Sequence, residues 1–206
     1  MFALVENQQI TKHLSGNRGI TLGDIQYPRS IFTLWTEVER NAIGIYEVTV
    51  DTTNKKDEQW YTNTNVSYGV ESNKAVGSYG SATAKLLEYR NEVDEDGEPL
   101  LDDNGDQVVT KGLKTQKKEI IKQQASGLLT PTDWYIIKAV DVESYSAPAN
   151  IITYRANIRT ASNDMETIID NASDVDALAT LYQYVNTGTE EEPVMERPLG
   201  EFPEAV

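Results

Sequence analysis

The sequence predicts an α+β protein: a small N-terminal mixed β/α unit with β-hairpins, then a C-terminal antiparallel helical bundle and an extended acidic tail. Three observations lead to this prediction. Before residue 110, short runs of valine, isoleucine and tyrosine alternate with polar residues and turn formers, which favours strands. After residue 111, apolar residues recur at helical spacing, and the end of the chain is rich in glutamate, proline and glycine. The predicted segments are 1–50, the β/α unit; 51–110, a polar β-rich region; 111–185, the helical domain; and 186–206, an extended or disordered tail.

Composition narrows the possible partners. The chain has 206 residues, 39% of them hydrophobic, and a formal net charge of -15. Such a charge repels phosphates and anionic head groups, so we expect neither nucleic acid nor a membrane as a partner. There is no cysteine, hence no disulfide or thiolate chemistry. The N-terminus lacks the pattern of a signal peptide, and we expect a soluble protein made in the cytoplasm of the cell that translates it.

Local patterns define the elements of the first segment. Phe2–Val5 and Gln9–Thr11 are predicted to pair as a hairpin across Asn7-Gln8. Thr36 and Glu39 have the spacing of a capping box, which predicts a short helix from residue 37 to 43. A strand from residue 45 to 50 should follow it.

Residues 94–109 contain an internal repeat. Asp94–Leu101 and Asp102–Val109 each hold an Asp-Gly or Asn-Gly pair followed by two apolar residues, a pattern typical of tight turns. We expect a two-turn β-meander or arm. A calcium loop is the other reading of these acids, but Gly97 and Gly105 come too early for an EF-hand, and no metal site is predicted.

The helical domain is predicted from apolar spacing and caps. In the first helix Ile120, Ile121, Ala125 and Leu128 can share one face. Further helices should begin at Asp133, with Thr132 as its cap; at Ala149, extending to Asn171; and at Val175, extending to Tyr184, with Ser173 and Asp176 as capping residues.

Neither a catalytic site nor a cofactor site is indicated. His13 is the single histidine, so no imidazole pair can bind a metal and no nucleophile–base pair is recognisable. Acidic pairs occur by chance among 33 carboxylates. We therefore expect no enzyme and no cofactor.

The candidate functional residues are those of an interface. They are three aromatic residues, three lysines and four apolar residues of the tail: Trp60, Tyr61, Tyr68, Lys117, Lys118, Lys122, Val194, Met195, Leu199 and Phe202. The lysines can be a docking face for an acidic partner, or a solvated helix face screened by the acidic repeat, and the second reading is favoured. Trp35 and Trp134 are expected in the core, whereas Trp60 suits core and interface equally.

Several short stretches resemble proteins of tailed bacteriophages. They are Lys111-Gly112-Leu113-Lys114-Thr115, Gly127-Leu128-Leu129-Thr130-Pro131-Thr132-Asp133-Trp134-Tyr135, Pro148, and Tyr154-Arg155-Ala156-Asn157-Ile158-Arg159. In this order they are similar to the tail-fibre and fibre-assembly group, in which a Thr-Asp-Trp, a Pro and a Tyr-Arg-x-x-(Leu/Ile)-Arg recur near the C-terminal end. The opening Met1-Phe2-Ala3-Leu4-Val5-Glu6-Asn7, Gln26-Tyr27-Pro28 and Ala42-Ile43-Gly44-Ile45-Tyr46 resemble the starts of such proteins.

The resemblance implies a virion protein of the tail that attaches or supports tail fibres, with other tail or fibre proteins as partners and several copies in a symmetric assembly. Members of the fibre-assembly group carry the Thr-Asp-Trp motif close to their end. This chain continues with another predicted helix and an acidic tail, which favours a resident structural part over an assembly chaperone absent from the virion. A carbohydrate-binding receptor module, using Trp60, Tyr61 and Tyr68 as a platform, is a further alternative.

Overall fold

The structure, a computed structural model, describes residues 1–205 and contains both helices and strands, which confirms the mixed class. The chain divides into two compact units, residues 1–83 and the chain from Ala84 onward. This division lies within the segment 51–110 that the sequence analysis treats as one region.

The first unit is built on a curled sheet. Its elements are β1 (Phe2–Glu6), β2 (Gln9–Leu14), β3 (Ile20–Leu22), β4 (Ile25–Tyr27), α1 (Ile31–Leu34), α2 (Glu37–Ala42), β5 (Ile45–Asp51), β6 (Tyr61–Thr62), β7 (Val66–Glu71) and β8 (Lys74–Tyr79), and β9 (Thr83–Ala84) spans the division. Five of these strands form the sheet in the order β2-β1-β5-β8-β7, with β5 and β8 parallel and the other neighbours antiparallel.

The predicted N-terminal hairpin is confirmed. β1 and β2 pair antiparallel across Asn7 and Gln8, whose φ angles of 52° and 62° are those of a two-residue hairpin turn. The amide of Gln8 donates to Asn73 at 3.3 Å, and the ring of His13 meets that of Tyr68 edge-on at 4.6 Å. These contacts connect the β1–β2 hairpin with the β7–β8 hairpin, so the two edges of the curled sheet approach each other.

The predicted capping box is also confirmed. The Thr36 hydroxyl accepts from the Glu39 N–H, and the Glu39 carboxylate accepts from the Thr36 N–H at 2.8 Å. Gly44, at φ +80°, leads directly into β5. Leu14, Ile31, Phe32 and Ile45 form the buried cluster beneath, against which Trp35 packs, partly buried as expected.

The second unit is mainly helical. Its elements are β10 (Arg90–Asn91), β11 (Val109–Thr110), α3 (Leu113–Leu129), a 3₁₀ turn (Thr130–Thr132), α4 (Asp133–Asp141), α5 (Ala149–Asp170), α6 (Val175–Thr180), β12 (Val185–Asn186) and β13 (Met195–Glu196). α5 matches its predicted bounds to one residue, whereas α6 ends earlier than predicted.

The two turns of the repeat are confirmed. Gly97 and Gly105 both have φ +85°, which L-residues with a side chain avoid. In each turn an aspartate accepts two backbone N–H groups: Asp94 from residues 96 and 98, and Asp102 from residues 104 and 106. These hydrogen bonds lower the pKa of Asp102. The acids of the repeat thus act in turn formation.

α3 and α5 lie side by side and antiparallel, with Ala125, Tyr154 and Ile158 buried between them. The predicted apolar face of α3 is wrong in one position. Ile121 and Ala125 are buried, but Ile120 points outward with 45% of its surface exposed. The buried face of α3 is therefore narrower than the apolar spacing of its sequence predicts.

Two predicted helix caps are wrong. The Thr132 hydroxyl does not cap α4, because it donates to the carbonyl oxygen of Leu129 at 2.7 Å. α6 is capped by Asp174, which accepts from the Ala177 N–H at 2.8 Å, and not by Ser173. In both places another acceptor binds the hydroxyl that was predicted to cap the helix: the Leu129 carbonyl oxygen binds that of Thr132, and the Asp174 carboxylate binds that of Ser173.

Two expectations about burial are also wrong. Trp134 is 50% exposed, and none of the other residues of α4 is buried either. The predicted extended tail contains the β12–β13 pair, and Leu199, at 1% exposure, is buried where its N–H donates to the Leu181 carbonyl oxygen. This apolar anchor is why the segment is not extended throughout.

Candidate interaction surface on helix α4

α4 presents an uncovered apolar surface. Trp134, Ile137 and Val140, one helical turn apart, are 50%, 60% and 81% exposed. Ile136 and Val142 add 36% and 40% exposure beside them. Single exposed apolar residues are ordinary, whereas several on one short helix are typical of a surface that associates with another protein. We call these five residues the α4 surface.

The start of α4 is fixed to the helix pair below. The Arg155 guanidinium, buried to 7% exposure, lies 2.7 Å from the Asp133 carboxylate. It also donates to the Thr132 hydroxyl at 2.6 Å and to the Leu129 carbonyl oxygen at 2.9 Å. A buried guanidinium that makes one ion pair and two further hydrogen bonds holds the first turn in one orientation. The α4 surface is therefore presented on a positioned element.

The charges around the α4 surface are mixed. The Lys138 ammonium lies 5.6 Å from the centroid of the Trp134 ring and 4.3 Å from that of Tyr145, so its charge is partly held by aromatic faces. Asp141 closes the helix and Glu143 follows it. An apolar patch with charged residues at its margin resembles the centre and rim of a protein–protein interface.

The predicted lysine face is engaged within the chain. Lys118 lies 2.6 Å from the Asp170 carboxylate, and Lys122 lies 3.1 Å from that of Glu166. Lys117 stands over the Tyr182 ring at 5.1 Å. The acids that meet Lys118 and Lys122 belong to α5, and not to the acidic repeat that the favoured reading proposed.

The predicted aromatic platform is divided. Trp60 and Tyr61 are only 5% and 9% exposed, whereas Tyr68 is 40% exposed and meets the His13 ring edge-on. A sugar-binding platform needs exposed ring faces. The structure therefore removes the observation on which the carbohydrate-binding alternative relied.

The four apolar residues of the tail that were predicted to form an interface differ in their exposure. Val194 and Met195 are 48% and 56% exposed, Leu199 is buried, and Phe202 packs, half-buried, against the cluster of α3 and α5. Only the first two are available to a partner. Both lie close to Glu192 and Glu196, so this part of the segment is apolar with acidic flanks.

Sequence reasoning missed Ile136, Ile137 and Val140. The pattern that could have found them is the composition of α4 itself: Trp134 to Ile137 is a continuous apolar run, and Lys138 is the only charge before Asp141. A short helix whose side chains between its charged ends are mostly apolar has little polar surface to turn to water. Such a helix is either buried or awaits a partner.

Within residues 1–205, no three His, Asp or Glu side chains are placed to hold a metal ion. The lowered pKa values of Glu39 and Asp174 arise from backbone hydrogen bonds at helix caps. Burial raises the pKa of Tyr182 to about 12, so that phenol stays protonated at neutral pH.

Comparison of the chain with protein-family models, with characterised proteins and with solved structures gives no match. None of the helices in the described part of the chain has the length and apolar character needed to span a membrane.

Proposed function

We propose that this protein is a structural component of the tail of a tailed bacteriophage, where it attaches or supports tail fibres through protein–protein contacts and without catalysis. Its partners are other tail or fibre proteins, and it is present in several copies in a symmetric assembly. The observation that carries the proposal is the α4 surface, with Trp134, Ile137 and Val140 all at least half exposed.

The α4 surface supports an interface for an energetic reason. Burying an apolar side chain of this size contributes about 1.5–3 kcal/mol, a gain that α4 does not collect within its own chain. Tryptophan and other large side chains at the centre of a patch commonly carry most of the binding energy. The anchored first turn reduces the entropy that binding would otherwise cost.

The resemblance to tail-fibre and fibre-assembly proteins supports the same conclusion from the sequence side. Its Thr132-Asp133-Trp134 stretch opens α4, and its Tyr154 to Arg159 stretch supplies Arg155, which holds Asp133. The residues of the resemblance therefore build and orient the proposed docking helix.

We further propose that a partner completes the helical bundle. α3 and α5 already form an antiparallel pair, and a neighbouring subunit that covers α4 would give that helix its second packing face. The exposed Val194 and Met195, with their acidic flanks, are proposed as a second contact, to a neighbour with a basic rim.

The test is a single charge on the α4 surface. In phage particles grown with Ile137→Asp, the chain should be lost from the tail or the fibres should detach. The matched control is Ile120→Asp on α3, since Ile120 is 45% exposed yet lies outside the α4 surface. Normal particles from both variants would refute the proposal. Loss of fibres while the wild-type chain is absent from particles would identify an assembly chaperone instead.

A further inference from the structure

The first unit contains a cavity of about 580 Å³ whose charged lining is entirely cationic. Its wall is formed by residues of β1, β2 and β3 and by the loop after β2, and the lining residues are Leu4, Lys12, His13, Leu14, Ser15, Gly16, Arg18, Gly19, Ile20, Thr21 and Leu22. The volume lies within the usual range for small-ligand sites. In a chain with a net charge of -15, a cavity that gathers Lys12, His13 and Arg18 and no acid is unusual.

The two basic side chains Lys12 and Arg18 have no partner of opposite charge within the described residues. Lys12 and Arg18 form no ion pair within residues 1–205, in contrast to the lysines of α3, which meet carboxylates of α5. Like charges gathered in one concave site repel each other, and an anion that enters the site relieves the repulsion. The guanidinium of Arg18 is suited to a planar or tetrahedral oxyanion because it can donate two parallel hydrogen bonds.

The backbone also prepares the cavity. The β1–β2 register shifts between Leu4 and Val5, so that Leu4 faces Lys12 while Val5 faces Ile10. A bulge of this kind re-aims the side chain that follows it, here Lys12, which pairs with Leu4 in the cavity wall. A Cβ atom at Gly19 would lie only 2.5 Å from the Tyr27 carbonyl oxygen, so the loop rests closely on β4. The cavity wall is thus held in place before any ligand arrives.

We propose that this cavity is a binding site for a small oxyanion, a ligand with phosphate or carboxylate groups, held by Lys12 and Arg18 with the hydroxyl group of Thr21 as a further donor. The site is separate from the α4 surface and does not depend on the tail function. Ligand binding there adds a recognition activity to a protein otherwise proposed to act by contact alone.

The single histidine makes the test direct. His13 lies in the cavity wall, so its ring C–H resonances in a proton NMR spectrum report on this site and on no other imidazole. The full chain is titrated at fixed pH with inorganic phosphate, pyrophosphate and citrate, while sodium chloride keeps the ionic strength constant. A saturable shift with any of them is expected, and the tightest of the three identifies the preferred group.

Two variants and one control assign the binding to the cavity. Lys12→Gln and Arg18→Gln should each raise the dissociation constant roughly fivefold or more, because each removes a charge-assisted contact. Lys74→Gln removes the same charge from β8, outside the lining, and should change it by less than about twofold. A linear, non-saturating shift, or an equal weakening in all three variants, would mean that only the general field is sensed and would overturn the proposal. Circular dichroism of each variant confirms that the fold is kept.

Discussion

The Lys114 ammonium donates to the backbone carbonyl oxygen of Asp170 at 2.9 Å, and it thereby ties the start of α3 to the end of α5. The same ammonium meets the Glu88 carboxylate at 2.5 Å. The last carbonyl groups of a helix carry partial negative charge and lack partners within the helix. The Lys114 ammonium is such a partner for the Asp170 carbonyl oxygen. Lys118, one turn further along α3, places a second positive charge at the same end of α5.

Replacing Lys114 by methionine should therefore lower the free energy of unfolding by about 1–3 kcal/mol, since it removes a buried ammonium that donates to the Asp170 carbonyl oxygen and pairs with Glu88. The measurement is urea unfolding followed by circular dichroism. Lys111→Met is the control, because Lys111 forms an exposed pair with Glu119, and such a pair contributes about 0–1 kcal/mol. Equal losses in the two variants would show that the contact of Lys114 has no special role.

Leu199→Ala should destabilise the second unit by about 2–4 kcal/mol, because it empties a fully buried position. Val194→Ala, at a side chain 48% exposed, should change the stability by less than about 0.5 kcal/mol. Urea unfolding measures both. A silent Leu199→Ala would restore the expectation of an extended tail.

The cap of α6 predicts a pH dependence. The Ala177 N–H lowers the pKa of Asp174 in the folded state, so the aspartate stabilises α6 above its unfolded pKa of about 3.9 and loses this effect as the pH falls through the lower, folded value. The difference in melting temperature between the wild type and Asp174→Asn should therefore be larger at pH 6 than at pH 3. A difference that grows on acidification would contradict the assigned cap.

Tryptophan fluorescence emission tests the different solvent exposure of Trp134 and Trp60. Trp134→Phe should remove red-shifted emission that acrylamide quenches, because Trp134 is half exposed. Trp60→Phe should remove blue-shifted, protected emission, since Trp60 is 5% exposed. The opposite assignment would return Trp134 to the core.

Features fixed by near neighbours in the chain could be predicted from the sequence. The Asn7-Gln8 turn, the Thr36–Glu39 capping box and the turn at Gly97 depend on residues within four positions, and all three are confirmed. The same holds for α5, whose apolar spacing runs over many turns.

Features fixed by distant residues could not be predicted in this way. Trp134 looked like a core residue because nothing local shows that α4 lacks a covering element. Leu199 was expected in an extended tail because its partner, Leu181, precedes the β12–β13 pair in the sequence, whereas Leu199 follows it. The row of lysines on α3 could be recognised in the sequence, but its pairing with Asp170 and Glu166 of α5 could not.

The central claim is that this chain is a resident part of a phage tail. Mass spectrometry of purified, intact particles tests it most directly, with the copy number of the chain measured against the capsid protein. For a resident tail protein we expect a stoichiometric amount in a small symmetric multiple. Absence from particles, with abundance in the infected-cell lysate, would contradict it.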